Sequence, residues 1–356
     1  MLTLGPPGTI KYFDAWHNTK SGAPMKLPNV VCCHEQDDGI LWKHTNFRTG
    51  NAAVTRARIL VLQTIITVSN YEYIFAFHFG QDASISYEVR ATGILSTVPI
   101  KHGLTSDSVP YGTVVAPGVL APYHQHLFSL RIDPAIDGHA NSLAIEESKP
   151  MPVDNPSVHN PFRMGYVAES QFVEEEGGFD LDFAKARVFK FVNESQINPV
   201  TGTPVGFKLL PQYSQGLLAH PDSLHARRSE FGQHAVWVTR HDDDELFPAG
   251  RYTMQSLGGD GIASGIERRR EEAGNAGGDG SSVRNRDIVV WHTFGSTHNP
   301  RIEDWPVMPS EKMVVGLKPV NFFSGNPGLD VAPSTQDRNR SVLYTGEQGP
   351  ASDCCN

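Results

Sequence analysis

The chain has 356 residues, 39% of them hydrophobic and 19% charged, with 33 glycines, 25 prolines and a formal net charge of −9. That composition argues against wholesale disorder and leaves enough chain to bury a sizeable core. The acidic balance argues against a nucleic-acid surface, and the density of Gly and Pro against an architecture of long helices.

The start, Met1-Leu2-Thr3-Leu4-Gly5-Pro6-Pro7, lacks the basic region and apolar stretch of a secretory signal, so the default location is cytoplasmic. Four cysteines stand as two adjacent pairs, Cys32-Cys33 and Cys354-Cys355, which is neither a disulfide framework nor a CxxC metal spacing. Asn193-Glu194-Ser195 and Asn339-Arg340-Ser341 match glycosylation sequons, a pattern common by chance.

Short β-type segments then follow one another along the chain. The first, 59–68, holds the longest apolar run, which Gln63 breaks and which is too short to span a bilayer. The next, 71–79, is separated from it by a polar knot, Asn70-Tyr71-Glu72-Tyr73, whose bland reading is a bulged strand with satisfied hydroxyls. In 84–95 apolar and polar residues alternate, as they do on a strand with one wet face. Segments 111–116, 124–133, 163–173, 187–193, 205–211 and 234–240 continue the series. Residues 257–286, rich in glycine around Glu267-Arg268-Arg269-Arg270-Glu271-Glu272, read as a flexible surface loop with at most one helical turn. Segments 287–294 and 312–318 close the series. This spacing is that of an all-β protein built as a large β-sandwich, and with no clean linker the expectation is one domain over 1–356.

Two imidazoles, His124 and His126, project from one face of the segment 124–133, because side chains alternate along a strand. They are either two ordinary polar residues or two ligands of one metal ion. A metal needs a third donor. His298, just beyond the apolar run Ile288-Val289-Val290, is one candidate, in competition with His34, His44, His78, His102 and His292. An all-imidazole site suits copper or zinc, and near a redox-active copper a phenol such as Tyr71 is oxidisable. A zinc hydrolase is the third reading; it needs a nearby carboxylate base and leaves Tyr71 unexplained.

Taken together, "HEQDDGILWKHTNFRTG", "TVSNYEY", "HQHLFSLRID" and "THNPRIEDWPVMP" resemble, in this order, the copper-containing amine oxidases over roughly residues 8 to 335. The resemblance implies the family's catalytic β-sandwich and the oxidative deamination of primary amines by dioxygen to aldehyde, ammonia and hydrogen peroxide. It implies that Tyr71 is the precursor of the quinone cofactor topaquinone, whose carbonyl forms a Schiff base with the amine. Asn70 then positions that ring by packing, and Tyr73 is structural. Copper falls to His124, His126 and His298. Asp133 and Asp287, with the carbonyls of Pro134 and Ile288, match a peripheral site for calcium or manganese, although Ala135 stands where the family often has a further Asp. A homodimer is the implied assembly, without membrane or nucleic-acid partners.

Three departures accompany the resemblance. The family's general-base Asp is expected upstream of Met1, and Asp14 matches a different family position. A cysteine expected near residues 4 to 6 to pair with Cys32 is replaced by Leu4-Gly5-Pro6. "NPFRMGYVAES" differs from the usual version of its motif. These departures raise an alternative, a catalytically impaired copper-binding fragment or pseudoenzyme of the same fold.

Overall fold

The computed structural model describes residues 10–153, 160–276 and 281–333, without the side chains of 275 and 276. The stretch at residues 4–6, the sequon at Asn339 and the pair Cys354-Cys355 lie outside those residues. The described residues divide into two compact units: those within 10–62, 78–83 and 325–333 form the first, and those within 63–77 and 84–324 the second.

In the first unit, β1 (Ile10–Asn18) pairs antiparallel with β2 (Pro24–Thr45), followed in sheet order by parts of β3 (Ala52–Val68) and β4 (Tyr71–Gly80). Neither β1 nor β2 was expected from the sequence. Their residues are mostly exposed or half-buried, and "CCHEQDDG" inside β2 lacks the alternation that marks a one-sided strand. Asp14 belongs to this pair of strands, where it accepts from Lys26 Nζ at 2.6 Å and from the Asn29 amide at 2.9 Å.

The second unit holds the rest of β3 and β4, then β5 (Ile85–Ile94), β6 (Val98–Pro99), β7 (Gly112–Ala116), β8 (Val119–Pro122), β9 (His124–Ile132) and β10 (Ser142–Pro150). After these come β11 (Tyr166–Phe172), β12 (Gly177–Phe179), β13 (Val188–Ile197), β14 (Pro204–Leu210), β15 (Val236–Arg240), β16 (Ile288–His298) and β17 (Val307–Val320). The large sheet of this unit runs β3-β4-β5-β17-β14-β13-β10-β11; a second runs β12-β15-β16-β9, and a small third β6-β8-β7. Each of the eleven predicted segments overlaps one of these strands.

The core lies between the two larger sheets. Val89, Phe189, Leu209 and Val315 from the large sheet meet Val236, Val238, Val290 and Phe294 from the four-stranded one, all fully or almost fully buried. This face-to-face arrangement is the expected β-sandwich. Asn193, at one sequon, is buried in it, its side-chain amide donating to the Ile136 carbonyl at 2.8 Å.

Two expectations need correction. Residues 66–79 are not a bulged strand: β3 ends at Val68, Ser69 and Asn70 make a two-residue turn with Ser69 at φ 57°, and β4 begins at Tyr71. Residues 257–286 are not a loop with one helical turn. They contain α2 (Ile262–Ala276); the only other α-helix among the described residues is the short α1 (Leu224–Arg228).

The helix was hidden because its docking is largely ionic. Only Ile262 and Ile266 of α2 are apolar and deeply buried; they pack on Trp237, Val289 and Trp291, on the outer face of the four-stranded sheet. The rest comes from distant carboxylates. Glu176, 1% exposed, accepts from Arg269 Nε at 2.9 Å and from the Arg240 amide at 2.8 Å, while its carbonyl accepts from Arg270. Glu230 accepts from the amide and hydroxyl of Ser264 in the first turn, at 3.2 and 2.6 Å. Among the described residues, no helix is long and apolar enough to cross a membrane.

Removing one member of a buried ion pair strands its partner, so Arg269→Ala is expected to cost about 3–5 kcal/mol. Denaturant unfolding measures the loss, and hydrogen exchange should show residues 262–276 loosening first. A loss under about 1 kcal/mol, the range of exposed pairs, would show that the Glu176 contact does not anchor the helix.

Candidate metal and cofactor centre

The site is assembled by strand register. β9 and β16 pair antiparallel with His124 directly opposite His298 and His126 opposite Ser296. His124 and His126 are two residues apart and share a face; the cross-strand partner of His124 projects from that same face. The ligand atoms of all three imidazoles therefore lie within 4.8 Å of one another. Among the described residues, no other group of three or more His, Cys, Asp or Glu side chains converges in this way.

Neighbouring hydrogen bonds orient each ring. His124 Nδ1 donates to the Pro122 carbonyl at 2.8 Å, which turns the Nε2 lone pair inward. The Tyr73 hydroxyl holds His126 Nδ1 at 2.7 Å, aiming its Nε2 at the same point. The two Nε2 atoms stand 3.0 Å apart. Two imidazoles sharing one ion at about 2.0 Å place their nitrogens roughly 2.8–3.3 Å apart, so the separation suits a common metal. His298 is 6% exposed, and neither ring nitrogen has a hydrogen-bond partner. Its Nε2 has the Asp304 carboxylate 3.5 Å away, leaving Nδ1 the freer donor. A buried imidazole with both nitrogens unsatisfied is costly in an apo protein, and a metal ligand removes that cost.

Burial keeps the His124 and His126 rings neutral, as ligands must be. It lowers the His124 pKa, with a further push from His298. It brings His126 down to about 4, aided by His124 and His298. For Asp304, burial alone would raise the pKa, but hydrogen bonds from the Arg301 side chain and amide outweigh it and keep the carboxyl ionised.

Tyr71 reaches the same point from the large sheet. It is 6% exposed, and its hydroxyl lies 2.9 Å from His124 Nε2. Because that nitrogen carries the lone pair, the hydroxyl donates to it, and in turn accepts from the Ser96 amide at 3.3 Å. Asn70 is exposed; what it contributes is a backbone carbonyl that accepts from the Ile94 amide at 2.8 Å.

Of the competing histidines, His292 is the instructive one. It is fully buried on β16 but satisfied on both sides, donating from Nδ1 to the Ala235 carbonyl at 2.8 Å and accepting at Nε2 from the Gln212 amide at 3.1 Å. Its pKa falls to about 4 through burial, and its role is structural. The carboxylates expected at a peripheral metal site are otherwise engaged. Asp133 accepts from Arg131 at 3.0 Å and pairs with His241 at 3.1 Å, while Asp287 faces His139 at 3.8 Å.

Sequence reasoning missed two glycines here. A Cβ on Gly295 of β16 would sit 1.9 Å from the His126 carbonyl oxygen, and one on Gly93 of β5 would strike the backbone of residues 70–72. The available signal was an isolated glycine inside a strand pattern, which marks close backbone approach.

Residues 2–338 match the family model described as copper amine oxidase, enzyme domain. A copper amine oxidase 1 from Aspergillus niger is 49% identical over 98% of this chain and 48% of its own length. A peroxisomal primary amine oxidase from Pichia angusta is 39% identical over 94% of the chain and 48% of its length. Among solved structures, a copper-containing benzylamine oxidase from Hansenula polymorpha superimposes with a TM-score of 0.86 at 42% identity, covering 94% of this chain and 50% of that one. The chain thus spans about half the length of these relatives.

The two buried histidines of β16 make opposite predictions. His298→Ala should leave the purified, dialysed protein without stoichiometric copper, whereas His292→Gln should keep its copper while lowering thermal stability. Metal analysis beside a thermal melt separates them, and full copper content in His298→Ala would remove that residue from the ligand set.

Proposed function

The chain belongs to the copper amine oxidase family, and from that premise we propose that it houses the copper and topaquinone centre at which a primary amine is oxidised by dioxygen. Amine, dioxygen and water go to aldehyde, ammonia and hydrogen peroxide. The observation that carries the reading is the Tyr71 hydroxyl, buried 2.9 Å from a nitrogen of the three-histidine cluster. A phenol there is of no use to a hydrolytic zinc, and the carboxylate beside the cluster, Asp304, is engaged by the Arg301 side chain and amide. It is well placed for oxidation in place.

His124, His126 and His298 hold the metal in this reading. Copper bound there supplies the redox chemistry that converts the Tyr71 phenol to a quinone, whose carbonyl is the electrophile for the amine. The chain's own residues do the positioning. Pro122 and Tyr73 hold the His124 and His126 rings by their outer nitrogens. The Ser96 amide and His124 fix the phenol oxygen between them. Burial of Tyr71 and Tyr73 keeps bulk water from the ring; the Tyr73 pKa is raised, first by burial and then by Tyr71, so its hydroxyl stays a neutral partner for His126.

The relatives carry oxidase names, which supports a working oxidase over the impaired copper-binding alternative. The family's homodimer belongs to the same reading. Calcium or manganese at Asp133 would have to displace Arg131 and His241, so copper is the metal this reading assigns to the chain.

Copper-loaded, aerated protein should stain for a quinone, and Tyr71→Phe should abolish the stain while binding copper in full. Staining that survives in Tyr71→Phe would move the cofactor to another residue.

A further inference from the structure

Tyr71 is approached at both its backbone and its hydroxyl by one short backbone segment, residues 93–96. At Gly93 the chain has φ +107°, a conformation L side chains rarely adopt. A Cβ there would lie 2.4 Å from the Asn70 carbonyl oxygen, 2.8 Å from the Glu72 nitrogen and 2.9 Å from Tyr71 Cα. All three obstacles are backbone, so no side-chain movement relieves them. The next residue, Ile94, donates its amide to the Asn70 carbonyl at 2.8 Å, and two residues further the Ser96 amide reaches the Tyr71 hydroxyl at 3.3 Å.

The root of Tyr71 and its oxygen are thus referenced to the same four residues. That segment is itself rigidly placed: Gly93 pairs with Met308 of β17, and its neighbours Ala91 and Leu95 are 1% and 2% exposed in the core. His124 and His126 sit on β9 and His298 on β16, in the other sheet. The backbone that seats Tyr71 and the strands that carry the three histidines therefore belong to different sheets, and the Tyr71 hydroxyl meets His124 between them.

We propose that Gly93, with the amides of Ile94 and Ser96, is the positioning element that sets the Tyr71 ring for conversion to the quinone, acting on the precursor and not on the metal. This rests on the reading of Tyr71 as the cofactor precursor. The conversion adds two oxygen atoms to the ring and removes two hydrogens, so two dioxygen molecules are consumed and one hydrogen peroxide leaves. Geometry decides its rate, and a misplacement of about 1 Å at a reacting group can cost ~10²-fold. A methyl group at Gly93 must push β4 away by about that distance, because the contacts of 2.4–2.9 Å fall short of normal separation.

The test uses the full chain, prepared without metal, loaded with Cu(II) under nitrogen and then exposed to air. Quinone absorbance, copper content and the Cu(II) paramagnetic resonance spectrum are followed together. Gly93→Ala is expected to bind copper in the wild-type amount with the wild-type spectrum, and to form quinone at least 10-fold more slowly. Ser96→Pro, at an exposed position, deletes one amide hydrogen and is expected to slow formation by a smaller factor. Quinone formation at the wild-type rate in Gly93→Ala overturns the proposal. Loss of copper or of the folded state along with the quinone also overturns it, since Gly93 would then serve the fold alone. An unchanged rate in Ser96→Pro overturns the part assigned to its amide. A wild-type chain that takes up copper and makes no quinone would instead defeat the underlying reading of Tyr71.

Discussion

The antiparallel register of β9 with β16 is the constraint on which the centre depends. Pairing His124 with His298 brings a residue 174 positions away in sequence (298 minus 124) into the plane of a local His-x-His pair. A slip of one residue would turn His298 to the opposite face and leave two ligands on one side of the sheet. Register is held where one face is buried, and β16 is among the most buried strands of the unit: Ile288, Val290, Trp291, His292 and Phe294 are all 0% exposed. The apolar core therefore sets the relative placement of the three imidazoles.

Around that register, polar groups are settled in two different ways. His292 and Asn193 are buried with their hydrogen bonds complete, as buried polar side chains ordinarily are. His298 is buried with no hydrogen bond at Nδ1 and only the Asp304 carboxylate, 3.5 Å away, near Nε2; in the proposed reading a metal is its partner. The contrast between His292 and His298, six residues apart on one strand, separates a structural histidine from the proposed ligand more sharply than either residue type or spacing does.

The same economy governs how close the sheets come to the centre. Gly93 and Gly295 stand where backbone meets backbone at distances that no Cβ tolerates, one behind Tyr71 and the other behind His126. Each lies behind a group whose position matters to within an ångström, so the absence of a side chain is itself a positioning device.

By itself the sequence determined the all-β class and the position of most strands, because one-sided burial writes a period of two into the residues. It also determined which phenol and which histidines deserve notice, through motifs whose residues are neighbours in the chain. Spacing alone left His298 in competition with His292, since both lie on the same apolar strand, and it was the family resemblance of "THNPRIEDWPVMP" that singled out His298. The sequence read α2 as a loop, because that helix is docked by Glu176 and Glu230, carboxylates from elsewhere in the chain. Its polar knot at Asn70-Tyr71 proved to be a tight turn that delivers Tyr71 into the core. What tertiary structure alone decided were the long-range terms: strand register, the satisfaction of buried nitrogens, and the backbone approaches at Gly93 and Gly295. These depend on atoms far apart in the chain, and no local pattern encodes them.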